Sequence, residues 1–274
     1  MIFLPEDREI CEAILQSAHE RGDPAGSISE LIAWTGLRFI GAPYEAETLG
    51  REGTEELIIN LRAFDCVTFI ENVIVLAGLI RAGKTAFQDY AAALERIRYR
   101  DGRRNGYPSR LHYFTDWLRN NGRKDIVRDI TAEIGGRPFR KPFHALTDRR
   151  GDHPALESPG VFRRMRIVEA ACSRRTLHYI PKISVKEMEG RIEDGDIIAI
   201  TTDAAGIDVV HTGIAVRIRR GLRLLHASSQ AGKVVLSDVT LCRYLRARRS
   251  RTGIIVGRMI RKPVIGQRIV KENR

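Results

Sequence analysis

The stretch from Val67 to Leu79 constrains this chain more than any other. Val67, Ile70, Val73, Ile74 and Ala77 recur at spacings of three and four, and Val75, Leu76 and Leu79 make the rest of the circumference apolar too. A helix that is apolar all round must be covered all round, so other elements have to be layered about it. Its start falls close to Asp65-Cys66, and Gly83 supplies a stop. The apolar run between Glu71 and Arg81 is well short of the roughly 20 residues needed to cross a bilayer, so this is an interior helix and the sequence predicts no transmembrane segment. With 274 residues, 43% of them hydrophobic and 29% charged, the chain can build the core such a helix requires, as one large domain or two small ones. That composition excludes a disordered, collagen-like or disulfide-scaffold protein.

Around this helix the pattern changes along the chain. Ile10, Ala13, Ile14 and Ala18 after Pro5 predict a first helix, and Ser27-Ile28-Ser29-Glu30 reads as a capping box for a second that ends near Gly41. Gly41-Ala42-Pro43-Tyr44 reads as a turn, and Leu57-Ile58-Ile59 is the strand-like piece before the interior helix. Further helices are predicted over 85–98 and 111–120, then a long Gly- and Pro-rich loop over 135–162, then helical spacing near 167–177. The last third consists of short β-branched runs broken by Gly or Asp. Strands are expected at 196–202, 211–217, 222–228, 233–236 and 253–259, with a short helix near 241–248. Helices followed by an antiparallel sheet is an α+β order, with a helical part of about 1–180 and a sheet part of about 181–274.

The first residues, Met1 to Asp7, carry neither a basic n-region nor a long apolar h-region, so no secretory signal is read in the chain as given; an upstream start would place it in the cell envelope. Cys11, Cys66, Cys172 and Cys242 form no C-x-x-C pair, which removes zinc-ribbon and redox-pair readings, and no histidine set has metal-ligand spacing. No metal or other cofactor is expected. Lys and Arg number 46 against 34 Asp and Glu, a net charge of +12. That field favours acidic partners but says nothing of fold. It motivates one reading as a binder of nucleic acid or another polyanion, which no RNA-binding aromatic motif or helix-turn-helix pattern supports.

Chemistry is concentrated in two places. Cys66 begins the interior helix, where unpaired N–H groups and the macrodipole favour a thiolate, although a cysteine on an apolar helix is most often inert packing. His211 opens the strand Val209–Val216, and His226 lies in the strand Leu224–Ser228 beyond the turn Arg219-Arg220-Gly221. An even-length hairpin loop puts both imidazoles on one sheet face, as diagonal neighbours or joined by a bulge. A thiol, a base and a group that orients the base are what cysteine acyl transfer needs. Cys11, Cys172 and Cys242 read as buried packing, and Asp65 as a cap or charge balance.

Several segments carry a resemblance. Gly41-Ala42-Pro43-Tyr44 and Leu61-Arg62-Ala63-Phe64-Asp65-Cys66-Val67-Thr68-Phe69-Ile70-Glu71-Asn72 resemble the nucleophile region of the N-acetylmuramoyl-L-alanine amidase-like family, a branch of the NlpC-type papain-like cell-wall cysteine hydrolases. Ser109–Phe114 with Trp117, Tyr179–Lys182, Gly206–Ala215 and Leu225–Ser229 are similar to later family motifs, in the family's order, over roughly residues 36–258. The two histidines stand further apart than in typical NlpC-type hairpins.

The resemblance implies a papain-like core in which the nucleophile helix packs on an antiparallel half-barrel. It implies Cys66 as nucleophile, His211 as general base and His226 as orienting group, acting on the amide between N-acetylmuramic acid and L-alanine in peptidoglycan fragments. Tyr44 is implied at the oxyanion beside the Cys66 N–H. Arg110, His112 and Tyr113 are candidates for sugar or carboxylate contacts, with helix-surface packing as the other reading, and Ser228 and Ser229 for the pocket wall or a strand-end turn. A muropeptide is the expected partner and nucleic acid is not. A stem-peptide endopeptidase of the same fold is the neighbouring alternative.

Overall fold

The computed structural model describes residues 1–21, 27–49, 54–219 and 221–260. Its elements in order are α1 (Pro5–Glu20), α2 (Ile28–Leu37), α3 (Cys66–Arg81), α4 (Phe87–Arg98), α5 (Phe114–Arg123), β1 (Val127–Asp129), β2 (Arg137–Phe139), α6 (Ala145–Asp148), α7 (Pro159–Ser173), β3 (Leu177–Pro181), α8 (Val185–Met188), β4 (Ile197–Thr202), β5 (Val209–Ile218), β6 (Gly221–Ser228), β7 (Lys233–Leu236), α9 (Leu241–Arg246) and β8 (Arg251–Met259). The fold is α+β with an antiparallel sheet.

The α3 helix is the spine. Every residue from Thr68 to Ile80 is buried, as an all-apolar circumference demands, and each Val, Leu, Ile or Phe so covered contributes about 1.5–3 kcal/mol. Asp65 caps its start, accepting from the Val67 and Thr68 N–H groups at 2.8 and 2.7 Å, while the Thr68 hydroxyl accepts from the Asp65 N–H at 3.0 Å. α2 begins with the reciprocal Ser27–Glu30 box. It then runs close to the sheet at Gly36, where an added Cβ would come within 2.8 Å of the Leu225 side chain.

The strands pair in the order β2-β3-β8-β4-β5-β6-β7, with β1 also on β8. Alternation divides the central strands between two cores. Ile197, Ala199, Ile214, Val216, Leu225 and Ala227 face α3 and pack with Phe69, Ile70 and Val73. Ile198, Ile200, Ala215, Leu222 and Leu224 face the other way, onto Val185, Ile192, Leu241 and Leu245 of the α8 and α9 layer.

Several expectations change. The expected long loop over 135–162 holds β2, α6 and the first turn of α7, which begins at Pro159 rather than near 167, because Pro at a first helical position needs no apolar stripe ahead of it. β1, β2 and β3 lie before residue 182 yet join the sheet, so the division into a helical part to about 180 and a sheet part beyond does not hold. They are three to five residues long and half-exposed, too short to show an alternating pattern. Ile58 forms a single bridge to Ile2 instead of a strand. α2 stops at Leu37, before Gly41. Arg220, expected in the β5–β6 turn, lies outside the described residues.

Candidate active site

The cap at Asp65 places Cys66 as the first residue of α3, partly exposed. The sheet is tied to this helix end at Thr212, whose hydroxyl donates to the Cys66 carbonyl at 2.6 Å. Thr212 follows His211 on β5, so the anchor and the imidazole project from opposite faces of the strand. The β5–β6 register pairs Ile214 with Leu225 and Ile218 with Gly221. One pair further on, Gly213 faces His226, which makes His211 its diagonal neighbour. Gly213 is required here, since a Cβ would meet Leu224 at 2.7 Å and the Leu225 carbonyl at 2.9 Å.

The two imidazoles meet. His211 Nε2 lies 2.6 Å from His226 Nδ1, with the ring centroids 4.7 Å apart and the planes nearly perpendicular. Burial pushes the His211 imidazole pKa down to about 3, with His226 and Arg251 adding to the effect, and pushes that of His226 down to about 4, again with Arg251 contributing. Both rings are therefore neutral at neutral pH. The Tyr244 ring of α9 closes the group, with centroids 5.3 Å from His226 and 6.4 Å from His211. Burial raises the Tyr244 pKa, Arg251 works against it, and Cys66 adds a smaller upward push. The same tyrosine therefore neighbours both the imidazole pair and the sulfur.

Cys66 itself departs from the expectation of a stabilised thiolate. Burial and then the Asp65 carboxylate push its pKa up to about 11, against hydrogen bonds to the sulfur from the Thr212 hydroxyl and backbone N–H, which lower it. Loss of water around the sulfur is the larger cause, and the cap adds to it: Asp65 already occupies the Val67 and Thr68 N–H groups and sets a negative charge beside the sulfur. Tyr44, joined to Phe64 by a parallel bridge, has its pKa raised by burial and then by its nearness to Cys66.

A cleft of about 530 Å³ runs past the α3 start, lined by Asp65, Val67 and Thr68 and by Arg110, His112 and His153. Beneath it Glu71 binds Arg98 at 2.7 Å and Trp117 Nε1 at 3.1 Å, all three side chains buried. Arg110 and His112 thus reach the cleft, but with their polar atoms engaged. The Arg110 fork holds Glu55 through Nε at 2.9 Å and Nη2 at 2.7 Å, and His112 Nε2 lies 2.9 Å from the Tyr107 carbonyl, its pKa pushed down to about 3 by burial and by Arg110. Tyr113 is not brought to the cleft. Its hydroxyl donates to Glu169 at 2.6 Å, and Glu169 also gathers the Leu146 and Thr147 N–H groups, so Tyr113 positions the segment leading to His153. The Ser228 hydroxyl accepts from the Ala231 N–H at 3.1 Å in a turn, and Ser229 is exposed there. A second cleft of about 620 Å³ lies around Arg100, Arg103 and Arg164, and neither cleft is lined by Cys66, His211 or His226 themselves. Of the remaining cysteines, Cys11 and Cys172 are buried, while Cys242 is only half-buried.

The match that decides the family spans residues 34–254, on the model described as AmiA-like, N-acetylmuramoyl-L-alanine amidase-like. The chain belongs to this amidase-like family. It is 36% identical to a crystal structure of an N-acetylmuramoyl-L-alanine amidase from Bacteroides uniformis, with a TM-score of 0.79 over 85% of this chain and 99% of the other. A Bacteroides fragilis structure that carries a xylanase name is 40% identical, with a TM-score of 0.78 over 82% of this chain and all of the other. A Legionella pneumophila structure shares the fold at 21% identity and a TM-score of 0.68. No curated protein matches.

Thr212, Tyr244 and Arg251 are the site residues that sequence reasoning missed. Nothing local marks them. Thr212 reads as an ordinary strand residue, and Tyr244 and Arg251 sit in an arginine-rich stretch that reads as a solvated face.

Proposed function

We propose that this amidase-like protein is a cysteine hydrolase of a single catalytic domain with a papain-like, NlpC-type core, and that it cleaves the amide between N-acetylmuramic acid and L-alanine in peptidoglycan fragments. The observation that carries the reading is the His211–His226 pair at 2.6 Å on a strand anchored to the Cys66 carbonyl. In this reading His211 Nε2–H donates to His226 Nδ1, which leaves His211 Nδ1 with the lone pair that accepts the thiol proton. His226 fixes that tautomer and orientation.

With the thiol and both imidazoles neutral at rest, the proton moves as the sulfur attacks. The Cys66 sulfur bonds to the lactyl carbonyl carbon while His211 takes the proton. The oxyanion meets the Cys66 N–H and the Tyr44 hydroxyl. Collapse breaks the C–N bond, His211 returns the proton to the alanine nitrogen, and water then hydrolyses the thioester by the same base. Neither a metal nor a cofactor enters these steps. Arg110 and His112 shape the cleft wall rather than carry charge to the substrate, and Ser228 and Ser229 turn the chain beside it.

Digestion of a defined disaccharide-tetrapeptide with mass analysis tests the proposal. Free sugar and intact peptide are expected from the wild type, and Cys66→Ala is expected to lose at least about a thousandfold in rate. Cleavage between amino acids instead would assign an endopeptidase, and unchanged hydrolysis by Cys66→Ala would remove the nucleophile assignment.

A further inference from the structure

His211 sits in the part of β5 that the sheet holds least firmly. The β5–β6 ladder runs from Ile214 to Ile218, so Val209 and His211 take their strand pairing from β4. That pairing is interrupted: His211 lies opposite Ile200 and Val209 opposite Thr201, which leaves Val210 as the extra residue of a bulge. A bulge breaks the ladder and re-aims the side chains beside it, and Val210 itself is 43% exposed. The approach to the imidazole therefore needs an anchor other than the ladder, and Asp208 supplies one. Its carboxylate, 3% exposed, accepts from the Thr115 N–H at 2.6 Å and the Val209 N–H at 2.9 Å, and the Thr115 hydroxyl donates to it as well. Thr115 stands in the first turn of α5, where Tyr113 offers no side-chain cap. The helix start is thus capped from the strand entry, where its unpaired N–H groups and dipole favour a carboxylate. The rest of the β4–β5 loop is clamped too. The Gly206 carbonyl accepts from the His144 and Ala145 N–H groups at 3.1 and 3.2 Å, and Lys141 Nζ, whose charge feels both Asp208 and Asp203, donates to the Thr202 carbonyl at 2.6 Å. The segments doing the clamping also carry Leu111, His112 and Leu146 of the cleft wall.

We propose that Asp208 is a positioning residue: by capping α5 from the entry of β5 it fixes the bulged strand, and so holds His211 on His226 and in register with the cleft wall. The proposal rests on the amidase reading for its kinetic consequence alone. Asp208 bonds to neither imidazole, so it acts through the backbone between residues 208 and 211. Without the carboxylate the Thr115 N–H loses its acceptor, the bulge is free to turn, and the 2.6 Å contact from His211 Nε2 to His226 Nδ1 opens.

The test reads the imidazole and the rate in the same variants: Asp208→Ala, Asp208→Asn and Thr115→Val, the last of which removes only the hydroxyl donor. Nitrogen-15 NMR of the histidine side chains is expected to show His211 in the Nε2–H form in the wild type and a mixture of tautomers in Asp208→Ala. On a defined disaccharide-tetrapeptide, kcat is expected to fall about a hundredfold in Asp208→Ala, about tenfold in Asp208→Asn and about threefold in Thr115→Val, the scale of a base displaced by up to about 1 Å, with KM changed by no more than about threefold. Asp208→Asn and Thr115→Val carry the test where Asp208→Ala fails to fold. The reference is Asp196→Asn, which alters another buried carboxylate, held by Arg258 at the opposite end of β4; it is expected to lose stability and leave the His211 signal and kcat where they were. Asp208 variants that keep the wild-type imidazole signal, whatever their kcat, overturn the assignment, and so do variants that shift it no more than Asp196→Asn does. If the wild type cleaves no muropeptide, the amidase reading fails separately, and the NMR signal alone decides: a His211 shift on replacing Asp208 supports the anchor, and an unmoved one overturns it.

Discussion

Two polar clusters flank the start of α3, and they solve burial in opposite ways. Under the cleft, Glu71, Arg98 and Trp117 form a closed set in which the carboxylate meets a guanidinium and an indole N–H, and Arg98 Nη1 is taken by the Ile58 carbonyl. Burial works against the charge there, yet the Glu71 carboxylate holds the Arg98 guanidinium above its usual pKa. On the far face of the sheet, His211, His226 and Tyr244 are neutral, and the charge beside them, on Arg251, has no carboxylate partner among the described residues and rests on the Tyr244 ring and its carbonyl. A closed ion set fixes geometry. A neutral set carries no buried charge that must be matched, so its parts can be changed at lower cost.

The sharpest way to break this contrast is to remove one arginine from each cluster. Arg98→Met leaves Glu71 as an uncompensated buried carboxylate and is expected to cost about 3–5 kcal/mol. Arg251→Met strands no acid and loses a cation–π stack and its hydrogen bonds to the Tyr244 carbonyl and side chain, about 1–2 kcal/mol. Urea unfolding of the two variants checks the pair, and equal losses would mean that the clusters are not different in kind.

The imidazoles sharpen the contrast through acid. Their folded pKa values, pushed down to about 3 and about 4, lie below the ordinary histidine value, so the unfolded chain binds more protons between. Their contribution to stability is complete above about 6.5 and is lost as pH falls through that window. The double variant His211→Gln with His226→Gln is expected to lose less stability than the wild type between about pH 6.5 and pH 4. The measurement is the midpoint of urea unfolding against pH, and parallel curves would show that the imidazoles are not held neutral by the fold.

The same contrast explains what the sequence disclosed. The α3 helix was legible because thirteen consecutive buried positions, Thr68 to Ile80, leave a pattern that no other element produces, and β4 to β6 were legible from β-branched runs and a tight turn. The short strands β1, β2 and β3 were not, since their pairing is set by β8 and β3 rather than by their own residues. Within the site, the shared face of His211 and His226 follows from the parity of a hairpin. The thiol's environment does not, because it depends on how Asp65 spends its oxygens, and Tyr244 reaches the imidazoles only through the packing of α9 on the far face. Arg110 and Tyr113 illustrate the limit most directly: the residue types suit a ligand, but Glu55 and Glu169, distant in sequence, already hold them.

The smallest expected effect concerns the joint between the two regions. Thr212 faces the α3 side of β5 while its neighbour His211 faces the other, so one hydroxyl carries the register of the sheet to the nucleophile. Thr212→Val keeps the shape and the β propensity but deletes the donor to the Cys66 carbonyl, at a cost of about 1 kcal/mol in stability. The Thr212 hydroxyl and backbone N–H also hydrogen-bond the Cys66 sulfur and lower its pKa, so loss of the hydroxyl is expected to make the thiol less acidic in this variant. The reading is the rate of iodoacetamide alkylation of Cys66 against pH, whose midpoint should move upward relative to the wild type. Loss of stability with an unmoved midpoint would make Thr212 a packing residue and leave the two regions coupled only through the core between them.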